Sequence, residues 1–116
     1  MTRETPREIL LAAYRDFNAR RLDAVLARMT PDVVWPNGME GGYVYGHAGV
    51  REYWTRQWAM IDPHVEPMSI EEDGSGRQVV EVHQTVRDLA GTVLIDTVVR
   101  HAYRLHHGLI DRMDIE

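Results

Sequence analysis

The chain of 116 residues contains no cysteine and no long apolar segment. Without cysteine it has neither a disulfide framework nor a thiolate nucleophile. No apolar run approaches the roughly 20 residues that a membrane-spanning helix needs, so we expect no membrane partner. The N-terminal segment of residues 1–6 is not followed by the apolar core of a secretion signal. These absences together predict a cytoplasmic protein.

Positive charge is scarce and dispersed. The net charge is −5, and the basic residues are scattered along the chain. A nucleic-acid-binding domain would usually present a basic face, so we expect no nucleic-acid partner. The six histidines include no helical His-x-x-x-His pair, which argues against a metal site. Hydrophobic content of 44% and charged content of 27% instead suit one globular domain spanning residues 1–116.

Helical periodicity dominates the first half of the chain. Residues 5–8 combine a capping threonine, a first-turn proline and a capping-box glutamate, and an i, i+3, i+4, i+7 apolar stripe follows. A second short helix over residues 22–29 is stopped by Thr30-Pro31. A third helix over residues 48–60 is ended by Asp62-Pro63. Between them, residues 33–35 form a short strand.

Period-two alternation replaces the helical pattern in the second half. Residues 64–72 and 77–87 are predicted strands, separated from each other and from the next strand by glycine-containing turns. A hairpin turning at His107-Gly108 completes the sheet. Helices followed by an antiparallel meander indicate an α+β domain.

The C-terminal hairpin decides whether two ionisable residues meet. With a two-residue turn, His106 faces Leu109 and His101 lies opposite Asp114, within contact distance. With a three-residue turn, His101 instead lies opposite Met113. Each polar residue also has a structural alternative: His101 as a core histidine bonded to the backbone, and Asp114 as part of a solvated edge.

Three stretches, at residues 17–26, 45–54 and 101–110, resemble the nuclear transport factor 2-like superfamily, which includes ketosteroid isomerases and SnoaL-like polyketide cyclases. The first reads Phe-Asn-Ala-Arg-Arg-Leu-Asp-Ala-Val-Leu, the second Tyr-Gly-His-Ala-Gly-Val-Arg-Glu-Tyr-Trp, and the third His-Ala-Tyr-Arg-Leu-His-His-Gly-Leu-Ile. The resemblance covers nearly the whole chain. It implies a cone-shaped α+β barrel, in which three N-terminal helices pack on a curved antiparallel sheet around an apolar pocket. It also implies a homodimer formed through the outer face of the sheet.

Strand alternation then separates the residues that reach this pocket from those that do not. His101 and Tyr103 share the inward, apolar face of their strand, whereas Asp96, Arg100 and Arg104 face out. In the preceding strand Gln84 falls on the inward face and His83 on the outward one; a bulge would reverse this assignment.

The resemblance also suggests residue roles. Trp35 occupies the position of the catalytic aspartate of ketosteroid isomerases, which makes that reaction unlikely by the same mechanism. Tyr14 lies one residue from the position of their oxyanion tyrosine. SnoaL-like cyclases place a histidine and an aspartate on the last two strands, and the matching positions are His101 and Asp114.

We therefore expect a small hydrophobic molecule as the partner, with acid–base chemistry such as isomerisation, cyclisation or dehydration that needs no cofactor. His101 and Asp114 are the candidate catalytic pair, in which the carboxylate holds the histidine pKa near neutral. A non-catalytic ligand-binding or dimerisation domain of the same fold is the alternative. The candidate substrate-binding residues are Tyr14, Trp35, Trp54, Trp58, Gln84 and Tyr103.

Overall fold

The computed structural model describes residues 4–116. Residues 1–3 lie outside the described residues. They belong to the predicted domain of residues 1–116 and to the N-terminal segment of residues 1–6 discussed above. The elements in chain order are α1 (Pro6–Asn18), α2 (Leu22–Leu26), β1 (Met29–Pro36), β2 (Tyr43–Tyr45), α3 (Gly46–Met60), β3 (Ile61–Glu72), β4 (Gln78–Asp88), β5 (Val93–His106) and β6 (Leu109–Ile115). The predicted α+β class is confirmed.

One six-stranded sheet has the order β2-β1-β6-β5-β4-β3. Neighbouring strands run antiparallel except β1 and β6, which are parallel. The expectation of a purely antiparallel sheet was therefore wrong, and the sheet is mixed. β1 lies between β2, its neighbour in the chain, and β6, the last strand of the meander.

Helix α1 begins as the sequence predicts. The Thr5 hydroxyl accepts a hydrogen bond from the Glu8 N–H, and the Glu8 carboxylate accepts one from the Thr5 N–H. Together they satisfy two of the N–H groups that a helix start leaves unpaired. At the C-terminal end of α1, the Asn18 side-chain amide makes two hydrogen bonds to Val65 of β3: it donates to the carbonyl and accepts from the N–H. These two hydrogen bonds fix the end of α1 against β3.

The segment after α2 differs from the prediction. The helix ends at Leu26, and Met29 already begins β1, so Thr30-Pro31 lies in a strand rather than at a helix end. The parallel pairing of β1 with β6 is irregular between Met29 and Val34, which accommodates a proline without a ladder N–H. The buried Thr30 hydroxyl donates to the Asp111 carboxylate at 2.9 Å and ties β1 to β6.

A short strand that the sequence analysis missed, β2, leads directly into α3 through Gly46. Gly46 has a φ of +71°, and a Cβ there would lie 3.1 Å from the Pro31 carbonyl oxygen. Only glycine combines this backbone conformation with such a close approach. α3 ends at Met60 and β3 follows at once, so Asp62 and Pro63 are strand residues. β3 is an edge strand, where proline is tolerated.

Of the two turns left open by the sequence, the β5–β6 hairpin has the two-residue one, in which His107 and Gly108 both have positive φ values. His106 faces Leu109, as expected for that turn. The register then shifts by one residue, because Asp111 has no paired residue on β5. Beyond this bulge His101 faces Ile115 and Asp114 faces Ala102, so the predicted pairing of His101 with Asp114 was wrong.

Candidate ligand cavity with a buried tyrosine–histidine chain

A cavity of about 350 Å³ lies between α1, α3 and the inner face of the sheet. Its volume falls within the range usual for small-molecule sites, roughly 300–1,000 Å³. Most of its lining side chains are apolar or aromatic, and a few polar groups converge on it. Five of the six candidate substrate-binding residues are on its wall: Tyr14, Trp35, Trp54, Gln84 and Tyr103.

Aromatic rings form much of the cavity wall. Trp35 and Trp54 meet edge to face with ring centres 5.3 Å apart, and Trp35 also packs against Tyr103. Edge-to-face packing holds large rings in fixed positions, so this wall is preformed. Trp58 lies outside the wall, contrary to expectation: it stacks on the far side of Trp54, against Phe17 and beneath the Arg20 guanidinium.

The polar centre of the cavity is a hydrogen-bonded chain of three buried side chains. Tyr103 on β5 donates from its hydroxyl to the Tyr14 hydroxyl of α1 at 2.8 Å. The Tyr14 hydroxyl lies 2.9 Å from Nδ1 of His101 on β5. Tyr103 and His101 both belong to the inward face of β5, as strand alternation predicts. Sequence reasoning missed the chain itself, because its members lie 87 and 89 residues apart.

Burial fixes the protonation states of this chain. Desolvation disfavours charged forms and lowers the pKa of His101 from its usual 6.5 to about 4. The same effect raises the pKa of Tyr14 well above its usual range, and that of Tyr103 too. All three groups are therefore neutral at pH 7. The expectation that a carboxylate holds the His101 pKa near neutral was wrong, because burial lowers it.

The direction of the hydrogen bonds sets the histidine tautomer. Tyr103 donates to Tyr14, so the Tyr14 proton points to Nδ1 of His101, which accepts. A neutral imidazole then carries its proton on Nε2. His101 Nε2 has no hydrogen-bond partner among residues 4–116, and His101 lines the cavity. Nε2 is thus the atom that this chain presents to a bound molecule.

Asp114 lies on the other side of β6. Its carboxylate accepts from the Tyr43 hydroxyl at 2.5 Å and from the Arg112 guanidinium at 2.8 Å and 3.1 Å. The Arg112 guanidinium and the Tyr43 hydroxyl lower the pKa of Asp114, which stays ionised. Its neighbours Met113 and Ile115 line the cavity instead. Because of the bulge at Asp111, apolar side chains of β6 face the cavity where the predicted catalytic carboxylate was expected.

A second polar group lies at the α3 side of the cavity. The Tyr53 hydroxyl accepts a hydrogen bond from the Gly38 N–H at 3.0 Å and one from the Gln57 side-chain amide at 3.2 Å. All three residues line the cavity. The helical stripe on α3 suggested Trp54 and Trp58 as substrate-binding residues but gave no reason to single out Tyr53.

The described part of the chain contains neither a metal-binding cluster nor a membrane-spanning helix. No cluster of three histidine, aspartate or glutamate side chains in residues 4–116 is arranged to hold a metal ion. Among the helices of the same residues, none has both the length and the apolarity to cross a membrane.

Comparison with known proteins places this fold. The SnoaL-like domain model matches residues 10–113. TerC, in a structure co-crystallised with polyporic acid, is 31% identical, with 94% of this chain and 88% of TerC covered and a TM-score of 0.81. A nuclear transport factor 2-like protein of unknown function from Burkholderia pseudomallei is 26% identical (95% and 88% covered, TM-score 0.82).

A putative polyketide cyclase from Pseudomonas putida is 20% identical, with 97% of this chain and 91% of the cyclase covered and a TM-score of 0.84. This likeness concerns the fold. No curated protein matches the chain. The family match spans nearly every element that surrounds the cavity, from α1 to β6. The chain therefore belongs to the SnoaL-like family of the nuclear transport factor 2-like superfamily.

Proposed function

We propose that this protein binds a small, flat, apolar organic molecule and catalyses a cofactor-free acid–base reaction on it: isomerisation, cyclisation or dehydration at an activated carbon. The observation that carries the proposal is the buried Tyr103–Tyr14–His101 chain, which ends at a free imidazole nitrogen beside an apolar cavity. A neutral imidazole in a water-poor site can both polarise a ligand oxygen and exchange a proton.

In the tautomer with the proton on Nε2, His101 donates a hydrogen bond from Nε2–H to a ligand carbonyl oxygen. Because Tyr14 donates to the other ring nitrogen, it draws electron density from the ring and strengthens that bond. The bond tightens as negative charge develops on the oxygen, so it stabilises an enolate more than the ketone.

In the reversed chain, Nδ1–H donates to Tyr14 and the Nε2 lone pair accepts a proton from carbon. The imidazolium then returns that proton to another carbon, which completes an isomerisation. A base whose conjugate acid has a pKa of about 4 removes protons efficiently only from activated carbon acids. We therefore favour 1,3-dicarbonyl or vinylogous carbonyl compounds as substrates.

The comparisons support a ligand-binding cavity of this kind. The relative that is 31% identical over 94% of this chain was co-crystallised with polyporic acid. Family membership is consistent with the wider class, since a putative polyketide cyclase shares this fold. The proposal includes the cone-shaped enclosure expected of the family, with the sheet wrapping around the cavity.

A non-catalytic ligand-binding protein is the second candidate. The observation that favours it is the position of Asp114, which is paired with Tyr43 and Arg112 on the far side of β6. A histidine without a carboxylate partner is less able to stabilise the imidazolium that proton transfer creates.

Proton exchange at carbon separates the two candidates. The protein is incubated in heavy water with benzoylacetone, a flat 1,3-dicarbonyl, or with 2-tetralone, and deuterium uptake is followed by mass spectrometry. We expect uptake above background that falls at least 100-fold in His101→Gln, which keeps an acceptor for Tyr14. Binding of these ketones with background uptake in both proteins would support the non-catalytic candidate.

The proposal also includes a homodimer formed through the outer face of the sheet. Leu94 and Val98 of β5 are exposed, and Asp96 and Arg100 lie beside them. Mixed apolar and charged side chains of this kind suit a self-complementary interface. Sedimentation velocity of the wild type and of Val98→Glu tests it, with dissociation expected in the variant.

A further inference from the structure

Tyr53 has a hydrogen-bonding pattern that its role in core packing does not explain. Its side chain projects from α3, and the residue is only 3% exposed. Both hydrogen bonds to its oxygen are donated by other groups, the Gly38 N–H and the Gln57 amide. A phenol oxygen has two lone pairs and one proton. The two bonds fill its capacity to accept.

With the Gln57 side-chain amide oriented to donate, the proton of the Tyr53 hydroxyl has no acceptor within residues 4–116. Burial raises the pKa of Tyr53, so the group stays protonated at neutral pH. An unmet buried donor costs free energy unless a ligand or water accepts from it. Because Tyr53, Gly38 and Gln57 all line the cavity, an acceptor inside the cavity meets this need.

The Tyr53 group is separate from the histidine chain. It belongs to α3 and the segment that follows β1, whereas His101 and Tyr103 belong to β5 and Tyr14 to α1. No hydrogen bond joins the two groups within the described residues. Aromatic rings, including Trp54 and Trp35, line the same cavity.

We infer that the Tyr53 hydroxyl positions the ligand by donating a hydrogen bond to a second oxygen, distinct from the one that meets His101. The ligand class is thereby narrowed to flat apolar molecules that carry two acceptor oxygens, such as diketones or quinones. The inference rests on the proposed ligand-binding role of the cavity. It adds a residue and a second oxygen that the acid–base proposal does not require.

A matched pair of ligands isolates the second oxygen. 1,4-Diacetylbenzene has two carbonyl groups, and 4-isopropylacetophenone replaces one acetyl group by an apolar group of nearly the same shape. A longer pair, 4,4′-diacetylbiphenyl and 4-acetyl-4′-isopropylbiphenyl, covers a wider oxygen separation. Binding of all four is measured by titration calorimetry to the full-length wild type, to Tyr53→Phe, and to the control Tyr45→Phe, which changes an exposed tyrosine outside the cavity.

We expect wild type and Tyr45→Phe to bind the diketone of at least one pair about tenfold more tightly than its partner, the worth of one buried hydrogen bond. Tyr53→Phe should bind the two ligands of that pair equally, while still binding both. Equal binding of both pairs by wild type, or a preference that survives in Tyr53→Phe, would overturn this inference and leave the proposed function standing. Absence of binding by all four ligands to wild type would count against both, and circular dichroism confirms that each variant is folded.

Discussion

His101 faces Ile115 across the β5–β6 pair, and Asp114 lies one position away on the opposite face. This offset of one residue decides the chemistry of the cavity. It leaves His101 in a hydrogen-bonded chain with Tyr14 and Tyr103 and without a carboxylate. His101 is neutral, and its Nδ1 is occupied by the hydrogen bond with Tyr14. Any proton transfer to or from a ligand therefore takes place at Nε2.

Asp114→Asn should leave ligand binding and deuterium exchange within about twofold of the wild type. The carboxylate binds Tyr43 and Arg112 on the outer side of β6 and does not line the cavity. Partly exposed ion pairs of this kind contribute on the order of 1 kcal/mol or less, so unfolding should be affected only slightly. A loss of exchange comparable to that of His101→Gln would show that Asp114 takes part in catalysis.

The two tyrosines should show strong thermodynamic coupling. Tyr14→Phe removes both hydrogen bonds of the chain and leaves Nδ1 of His101 and the Tyr103 hydroxyl unpaired, at a cost of roughly 1–3 kcal/mol. Tyr103→Phe removes only one bond and should cost about 1 kcal/mol. Urea unfolding of both single variants and the double variant gives the coupling.

In that cycle, the double variant should be no less stable than Tyr14→Phe alone, because replacing Tyr103 then removes an unpaired hydroxyl. The expected coupling free energy is about 1 kcal/mol or more. Simple additivity of the two costs would mean that the hydroxyls do not form one chain in solution.

Acid should destabilise the protein partly through His101. Its folded pKa of about 4 lies below the usual 6.5, so the unfolded chain takes up this proton first as the pH falls. The contribution of the neutral histidine is complete above about pH 6.5 and is lost on the way down to about pH 4. A shift of this size corresponds to roughly 3 kcal/mol.

The measurement is the free energy of unfolding of the wild type and of His101→Gln at several values between pH 4 and pH 8. Carboxylates contribute equally to both proteins, so the difference between the two curves isolates His101. The wild type should lose more stability than the variant across this range. Parallel curves would contradict a depressed histidine pKa.

Two glycines at the start of α3 should respond to alanine in opposite directions. Gly46→Ala places a Cβ 3.1 Å from the Pro31 carbonyl oxygen at a φ of +71°, and should destabilise by about 1–2 kcal/mol. Gly49→Ala meets only Val44, whose Cβ lies at 3.6 Å and whose backbone carbonyl carbon lies at 3.7 Å. Both are ordinary contacts, and the substitution gains helix propensity, so it should stabilise by about 0.5–1 kcal/mol. Thermal unfolding checks both, with Gly74→Ala, where no neighbour lies within 4 Å, as the control. Similar effects at positions 46 and 49 would refute the positional argument.

Local signals in the sequence predicted the local features of the fold. The capping box at Thr5 and Glu8, the stripe of α1 and the tight turn at His107-Gly108 depend on residues close together in the chain, and the structure has all three. The inward positions of Gln84 and Tyr103 also follow from simple alternation, and both residues line the cavity.

The errors concern contacts between distant segments. No residue close to Asp111 in the sequence indicates a bulge, because the side chain of Asp111 is hydrogen-bonded to Thr30, 81 residues away. Thr30-Pro31 resembles a helix end until the parallel pairing with β6 makes it a strand. Trp58 shares the helical stripe of Trp54, but Phe17 at the end of α1 and Arg20 just after it pack over Trp58. Periodicity gives the face of an element and not the element that covers it.

The bulge at Asp111 decides which side of β6 faces the cavity. Asp111 is the extra residue of the bulge, so the residues from Arg112 to Ile115 are shifted by one position from those of a regular ladder. If Asp111 instead paired with Arg104, the rest of β6 would turn over, so that Asp114 would lie opposite His101 while Met113 and Ile115 would point out. One local irregularity of the backbone can thus interchange an apolar cavity floor and an acidic one in the same sequence. In engineering this cavity, the backbone at the bulge is as useful a variable as the identity of any side chain.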